Sequence, residues 1–162
     1  MHIRLGLASA LGIALASALV GCGEKKVEPA SGGTAGASAA TRTALTPIAA
    51  TGKTWTVKMI GDEKGYRFEP KDLTISAGDA VEWTLVSGGP HDVTFWADSV
   101  PHSAEPQLEA NMPDTTEPLT APLTVEVGSK YTVSFGGLAS GVYHYFCTPH
   151  LAVGMVGTIT VK

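Results

Sequence analysis

The chain has 162 residues, a formal net charge of −4 at neutral pH and two cysteines. Its 11 Lys and Arg residues form no run that could hold a nucleic acid backbone, so we exclude that class of partner. Residues 53–162 are long enough for one domain with one hydrophobic core, and we predict a monomer.

The first 22 residues, MHIRLGLASALGIALASALVGC, have the pattern of an export signal. Arg4 is the only charged residue, and the apolar run from Leu5 to Val20 is too short for a typical membrane-spanning helix. The ending LVGC resembles the lipobox of bacterial lipoproteins, which implies that residues 1–21 are removed and that Cys22 is acylated. An ordinary cleaved signal and an uncleaved anchor are the alternatives. Lipidation would prevent Cys22 from pairing with a second cysteine and would anchor the protein to a bacterial membrane, in the periplasm or another extracytoplasmic space.

The segment from Glu24 to Gly52 consists mostly of Gly, Ala, Ser, Thr and Pro and has no aromatic residue. Such a composition cannot bury enough apolar surface to fold alone. We therefore assign residues 22–52 to a lipid-bearing, flexible linker with a reach of roughly 30 Å. The folded domain, residues 53–162, would then be tethered to the membrane.

Apolar and polar residues alternate through most of this domain, which is typical of β-strands with one buried face. The predicted strands cover residues 55–59, 66–69, 73–76, 81–85, 93–95, 123–127, 131–135, 142–147 and 155–161. This pattern predicts an all-β, antiparallel two-sheet sandwich or barrel of about eight strands. The proline-rich stretch 97–122 is expected to be a long loop with one helical turn near Gln107–Ala110.

The stretch CTPHLAVGM, residues 147–155, carries a thiol, an imidazole and a thioether close together. Side chains alternate along the preceding strand, so Cys147 should end that strand pointing inward. Thr148 begins a turn that returns His150 to its side, and a short connection brings Met155 to the start of the last strand. His91, at the turn before another predicted strand, is the candidate fourth donor.

Two imidazoles, a thiolate and a distant thioether suit a copper ion and its one-electron chemistry. Zinc sites more often offer several thiolates, or histidines with carboxylates, and calcium or magnesium sites offer oxygen donors. No Cys-x-x-Cys-His motif is present for haem attachment. Each donor alone has an ordinary explanation as a core or turn residue, but their combination predicts one copper ion.

Three stretches of the domain resemble the cupredoxins of the plastocyanin and azurin group, the small blue copper proteins. They are FEPKDLTISAGDAVEWTL (68–85), PHDVTF (90–95) and YHYFCTPHLAVGM (143–155), the last with Cys-x2-His-x4-Met spacing. The resemblance implies a Greek-key β-sandwich that carries one type 1 copper ion. It also implies that His91, Cys147 and His150 are the strong equatorial ligands and that Met155 is the weak axial ligand.

Residues next to these ligands have predicted supporting roles. Asp92, where many plastocyanins have Asn, and Thr148 are expected to hold the site in shape. An apolar loop beside His150 is predicted to dock redox partners, with the His150 edge as the electron port; it contains Leu151, Ala152 and Val153. Phe146 faces outward next to Cys147 and is the second possible port.

The favoured function is the transfer of single electrons between redox proteins, such as a cytochrome or a copper enzyme. A periplasmic copper carrier or store is the alternative, although such a site would be open and rich in Met or His, and the chain has only four Met. A copper oxidase or nitrite reductase needs further histidines, and a Cys147–His150 hydrolase lacks an orienting third group. We therefore predict no enzymatic activity. His102, His144, Met59 and Met112 are not expected to bind the metal.

Overall fold

Eight strands form the domain in the computed structural model, which describes residues 45–162. They are β1 (Thr54–Asp62), β2 (Gly65–Glu69), β3 (Asp72–Ile75), β4 (Ala80–Leu85), β5 (Thr94–Phe95), β6 (Lys130–Ser134), β7 (Gly141–Phe146) and β8 (Val156–Val161). Two four-stranded sheets result, in the orders β2-β1-β4-β6 and β3-β8-β7-β5. The predicted all-β sandwich is confirmed. The predicted signal segment, Cys22 and most of the linker lie outside the described residues.

The sheets are mixed rather than antiparallel, so that part of the prediction is wrong. β1 runs parallel to β4, with Val57 opposite Trp83, and β3 runs parallel to β8, with Ile75 opposite Val161. After the β1–β2 hairpin the chain crosses to the other sheet to form β3 and returns as β4. Such a crossover allows neighbouring strands to run the same way, whereas a hairpin forces them to be antiparallel. Alternation of apolar residues fixes the buried face of a strand but not its direction.

The inner faces of both sheets meet in one apolar core. Trp83 of β4, Phe135 after β6, and Tyr143 and Tyr145 of β7 are fully buried, and the Trp83 and Tyr145 rings meet edge to face with centroids 5.3 Å apart. Along β7 the buried tyrosines alternate with exposed His144, as the sequence predicted. This alternation places the next inward position, Cys147, inside the end of the sandwich.

The connection between β5 and β6 is mostly irregular, as predicted. It contains a 3-10 helix at Ala97–Ser99 and one α-helix, α1 (Glu105–Asn111), which includes the predicted helical turn. The strand predicted at 123–127 is wrong, because only Thr124 pairs there, in an isolated bridge with His91. Val125 and Val127 are 69% and 74% exposed. Their alternation has no second apolar layer to face, so the pattern alone was insufficient to make a strand.

Residues 45–52, which composition assigns to the linker, lie against one end of the sandwich. We call this end the base; it is formed by Gly78, Ser134 and Gly136. The amides of Thr51 and Gly52 both donate to the Gly78 carbonyl at 2.9 Å. Buried Asn111 accepts from the Ile48 amide at 2.8 Å and donates to the carbonyls of Ser134 and Gly136 at 2.9 Å each. Across residues 45–162, helices are too short or too polar to cross a bilayer.

Candidate metal centre

His91 is held at the end of the sandwich opposite the base. It follows β4 by six residues and is fully buried. Its backbone pairs in both directions with Thr124, with N–H to O distances of 3.0 Å and 2.7 Å. Thr124 thus holds the His91 backbone through both its N–H and its carbonyl group.

The second part of the site is the ligand loop, residues 147–155, which closes on itself through backbone hydrogen bonds. Residues Thr148–Val153 form a 3-10 helix with proline in its first turn, and Gly154, with φ of 84°, ends it. The His150 amide donates to the Cys147 carbonyl at 3.1 Å. The Met155 amide donates to the His150 carbonyl at 3.2 Å, and the Met155 carbonyl accepts from the Cys147 amide at 3.0 Å.

Three donor atoms from these two parts converge in a small triangle. Nδ1 of His91 lies 3.2 Å from Nδ1 of His150, and Sγ of Cys147 lies 3.5 Å and 3.4 Å from the same two nitrogens. The centre of this triangle is about 2 Å from each atom, the usual length of a metal–imidazole bond. The donor set of two imidazoles and one thiol therefore fits a single copper ion in both size and chemistry.

Burial disfavours the charged forms of the three donor side chains. It lowers the pKa of His91 and of His150 and raises the pKa of the Cys147 thiol to about 11. Neutral imidazoles can offer a lone pair to a metal at once, whereas the thiol must lose its proton when the metal binds.

A backbone carbonyl sets the orientation of the His91 ring. Nε2 of His91 lies 3.0 Å from the Ser87 carbonyl oxygen, which can only accept a hydrogen bond. Nε2 therefore carries the proton, and Nδ1 is left with its lone pair directed at Cys147. Sequence reasoning missed this contact because it uses a backbone atom, for which residue types give no signal.

The predicted supporting residues lie where they can join the two parts of the site. The carboxylate of buried Asp92 accepts a hydrogen bond from the Thr148 amide. The Thr148 hydroxyl lies 3.0 Å from the hydroxyl of Thr94 in β5. Both contacts connect the His91 segment with the ligand loop, and the roles of Asp92 and Thr148 in holding the site remain predictions.

The other candidate residues separate into near and distant ones. Met155 is fully buried, and its backbone contacts place it beside His150, while its role as the axial ligand stays a prediction. Exposed His144 lies 3.2 Å from the Thr158 hydroxyl through Nδ1. The remaining three are exposed His102 and the core residues Met59 and Met112.

Two features of the surface flank the centre. Leu151, Ala152 and Val153 of the ligand loop are all exposed, and their role in docking stays a prediction. Phe146, next to Cys147, is half-buried and packs against exposed Trp96, with ring centroids 4.5 Å apart.

Sequence reasoning also missed Tyr66 at the start of β2. Its ring is stacked on the His150 imidazole with a centroid distance of 3.7 Å and an interplanar angle of 12°. Tyr66 is 81 positions before Cys147 in a strand recognised only by alternation, so no local motif could have indicated the contact.

A β-sandwich with this His2Cys cluster at one end defines a cupredoxin. The sequence pattern of the family described as "Copper binding proteins, plastocyanin/azurin family" matches residues 39–162, and the chain belongs to that family. It is 39% identical to a plastocyanin of Prochlorothrix hollandica over 73% of this chain and 80% of that protein. It is 38% identical to a plastocyanin of Scenedesmus fuscus over 66% of this chain and 98% of that protein.

A solved structure agrees with the sequence relatives. Oxidised plastocyanin from Dryopteris crassirhizoma matches with a TM-score of 0.53 and 34% identity, over 67% of this chain and all of that one. These similarities confirm the predicted cupredoxin fold and type 1 copper. They also identify the chain as a blue copper electron carrier rather than an enzyme.

Proposed function

We propose that this protein carries single electrons between redox proteins in the periplasm or another extracytoplasmic space of a bacterium. A lipid on Cys22 would hold it to a membrane. The observation that carries the electron-transfer part is the triangle of Nδ1, Nδ1 and Sγ atoms with edges of 3.2–3.5 Å. His91, Cys147 and His150 would bind the ion strongly, and the Met155 thioether would be the weak fourth ligand. A bound copper ion supplies one-electron chemistry by changing between Cu(II) and Cu(I).

The residues around the donors limit how far the ligands move when the charge changes. The Ser87 carbonyl holds His91, while Asp92 and Thr148 join the two parts of the site. Donors that are already in place need little rearrangement in either direction, so exchange of the electron is fast. This is the property that an electron carrier requires.

A visible spectrum tests the metal site directly. Purified protein given copper(II) should develop an intense thiolate-to-copper charge-transfer band that bleaches with a mild reductant and returns with an oxidant. Cys147→Ser should abolish the band and His91→Gln should weaken or shift it, whereas His102→Gln, which changes an exposed histidine, should preserve it. A colourless complex would refute the proposal. Rapid loss of the metal to a chelator would favour the copper carrier.

The docking part of the proposal is based on exposed apolar side chains beside His150. Leu151 is 40% exposed on a loop whose neighbours Ala152 and Val153 are exposed too. An exposed apolar patch at the metal end of the domain is suited to brief contact with another protein. Half-buried Phe146, next to Cys147 in the chain, is the second proposed port.

The described part of the chain carries more acidic than basic side chains. Residues 45–162 contain 13 acidic and 7 basic side chains, and no Lys or Arg occurs between Lys71 and Lys130, where ten of the acidic residues lie. We infer a partner with an apolar contact surface; a net positive charge on that partner would speed association at low salt, because the described residues carry a net negative charge.

Electron self-exchange tests the docking face without a known partner. Leu151→Glu should slow exchange between oxidised and reduced protein, measured by NMR line broadening, and leave the visible band unchanged. Val142→Glu is the matched control, because Val142 is 42% exposed but lies near the other end of β7. Equal rates in both variants would remove the docking proposal.

Lipid attachment needs its own experiment. Cells fed radiolabelled palmitate should yield labelled protein in the membrane fraction. Cys22→Ser should lose the label and leave the membrane, and Cys147→Ser should retain both. Label in Cys22→Ser would contradict the proposed anchor.

A further inference from the structure

The two histidines of the centre are held in different ways. The His91 ring is oriented by the Ser87 carbonyl at 3.0 Å and is fully buried. The His150 ring is partly exposed, and within residues 45–162 its Nε2 has no hydrogen-bond partner. Its orientation therefore needs a different explanation, because a ring that turns about its side-chain bonds would move Nδ1 away from Cys147.

Tyr66 supplies the missing contact. Its ring lies parallel to the His150 imidazole, with centroids 3.7 Å apart and planes inclined by 12°. The same ring meets His91 edge-on with centroids 6.0 Å apart and an angle of 74°. Tyr66 thus touches both imidazoles and covers a flat face of only one of them.

The Tyr66 ring occupies space that is free because residue 61 is a glycine. Gly61 lies opposite Tyr66 in the β1–β2 pair, and a Cβ at Gly61 would lie 2.6 Å from the Tyr66 ring. A Cβ at Gly88 would lie 2.4 Å from the Cα of Gly61. The Gly61 and Gly88 backbones therefore lie in close contact beside Tyr66, and a larger residue at Gly61 would displace the Tyr66 ring.

We infer that Tyr66 is a positioning residue that holds the His150 imidazole with Nδ1 directed at Cys147, whether or not a metal is bound. The stack does for His150 what the Ser87 carbonyl does for His91. A stacked aromatic ring fixes the plane of its neighbour and leaves the His150 edge free toward the surface. This inference rests on the proposed function where it concerns copper, but the metal-free orientation of His150 is a separate property.

The metal-free protein gives the first test. With histidine labelled in the ring, the His150 signals of the wild type and of Tyr66→Phe should be sharp and should show contacts from residue 66. In Tyr66→Leu the signals should broaden or average, because the ring plane is no longer held. Tyr66→Val is a second ringless variant with a side chain suited to a strand, should the leucine variant fold poorly. Trp96→Leu is the matched control: Trp96 is 36% exposed against 38% for Tyr66, but its ring packs at an angle of 36° against Phe146 and not against a donor histidine.

The copper form gives the second test. Release of copper(II) to a chelator should be about two- to tenfold faster in Tyr66→Leu, as expected for loss of one aromatic stack. The midpoint potential should shift in this variant and stay at the wild-type value in Tyr66→Phe and Trp96→Leu. Sharp His150 signals in both ringless variants would overturn the inference, as would a phenylalanine variant that behaves like the leucine one. Failure of the wild type to form the visible band would refute the proposed function instead, and the metal-free measurement would still decide the role of Tyr66.

Discussion

Asn111 joins Ile48, Ser134 and Gly136 at the base, so its replacement removes three hydrogen bonds at once and should lower the free energy of unfolding. In Asn111→Leu, the carbonyls of Ser134 and Gly136 and the amide of Ile48 lose partners that are 2.8–2.9 Å away. The bond to Gly136 is fully buried, while the other two lie in partly buried surroundings that water can reach. A buried polar group without a partner costs about 1–3 kcal/mol and a solvated one about 1 kcal/mol. We therefore expect a loss of about 3–5 kcal/mol.

Urea unfolding of the metal-free protein, followed by the fluorescence of buried Trp83, measures this loss. Gln107→Ala is the control, because it removes a bond to Asn111 at 2.9 Å and an exposed bond to the Thr46 carbonyl at 3.1 Å, and it should cost about 1 kcal/mol or less. The copper band of Asn111→Leu should match that of the wild type, since the base is remote from the donors. A loss below about 0.5 kcal/mol in Asn111→Leu would refute the argument that these bonds hold the base.

Three further changes test the site and its support. Thr148→Val removes the hydroxyl contact with Thr94 at 3.0 Å, so copper release should accelerate and the midpoint potential should move; if neither changes, Thr148 has no supporting role. Hydrogen bonds, first from the Trp55 indole, lower the pKa of Asp79, so its stabilisation is full above about pH 4 and is lost as pH falls through that lowered value. Acid unfolding of Asp79→Asn should therefore depend less on pH, and an unchanged profile would contradict this. Gly88→Ala should lower the urea midpoint strongly, because φ is 72° and the new Cβ would lie 2.4 Å from the backbone of Gly61; a wild-type midpoint would show that the two segments can separate.

The sequence predicted those parts of the molecule that depend on local pattern. The alternation in VYHYFC was sufficient to place Cys147 inside and His144 outside, because pleating dictates it. The spacing within the ligand loop brought His150 to Cys147 through one helical turn. His91 could be added only because a cysteine–histidine pair suggested a metal and a further donor was needed.

The parts that failed depend on what lies opposite a residue rather than beside it. Leu123, Val125 and Val127 alternate as well as any strand in the chain, yet no layer covers them. Parallel pairing of β1 with β4 is equally invisible, since a strand's pattern is the same in both directions. The stack of Tyr66 on His150 requires knowledge of which strand passes the ligand loop, and composition cannot provide it.

Residues 45–52 are attached to the base, the end of the sandwich opposite the donors. They meet the domain beside Gly78, just before β4 begins, whereas the donors stand beyond the far end of that strand. Six residues of β4 separate the two by about 20 Å. A pull on residue 45 from its N-terminal side would turn the base toward the source of the pull. The end of the sandwich that carries the donors would then face away from that source.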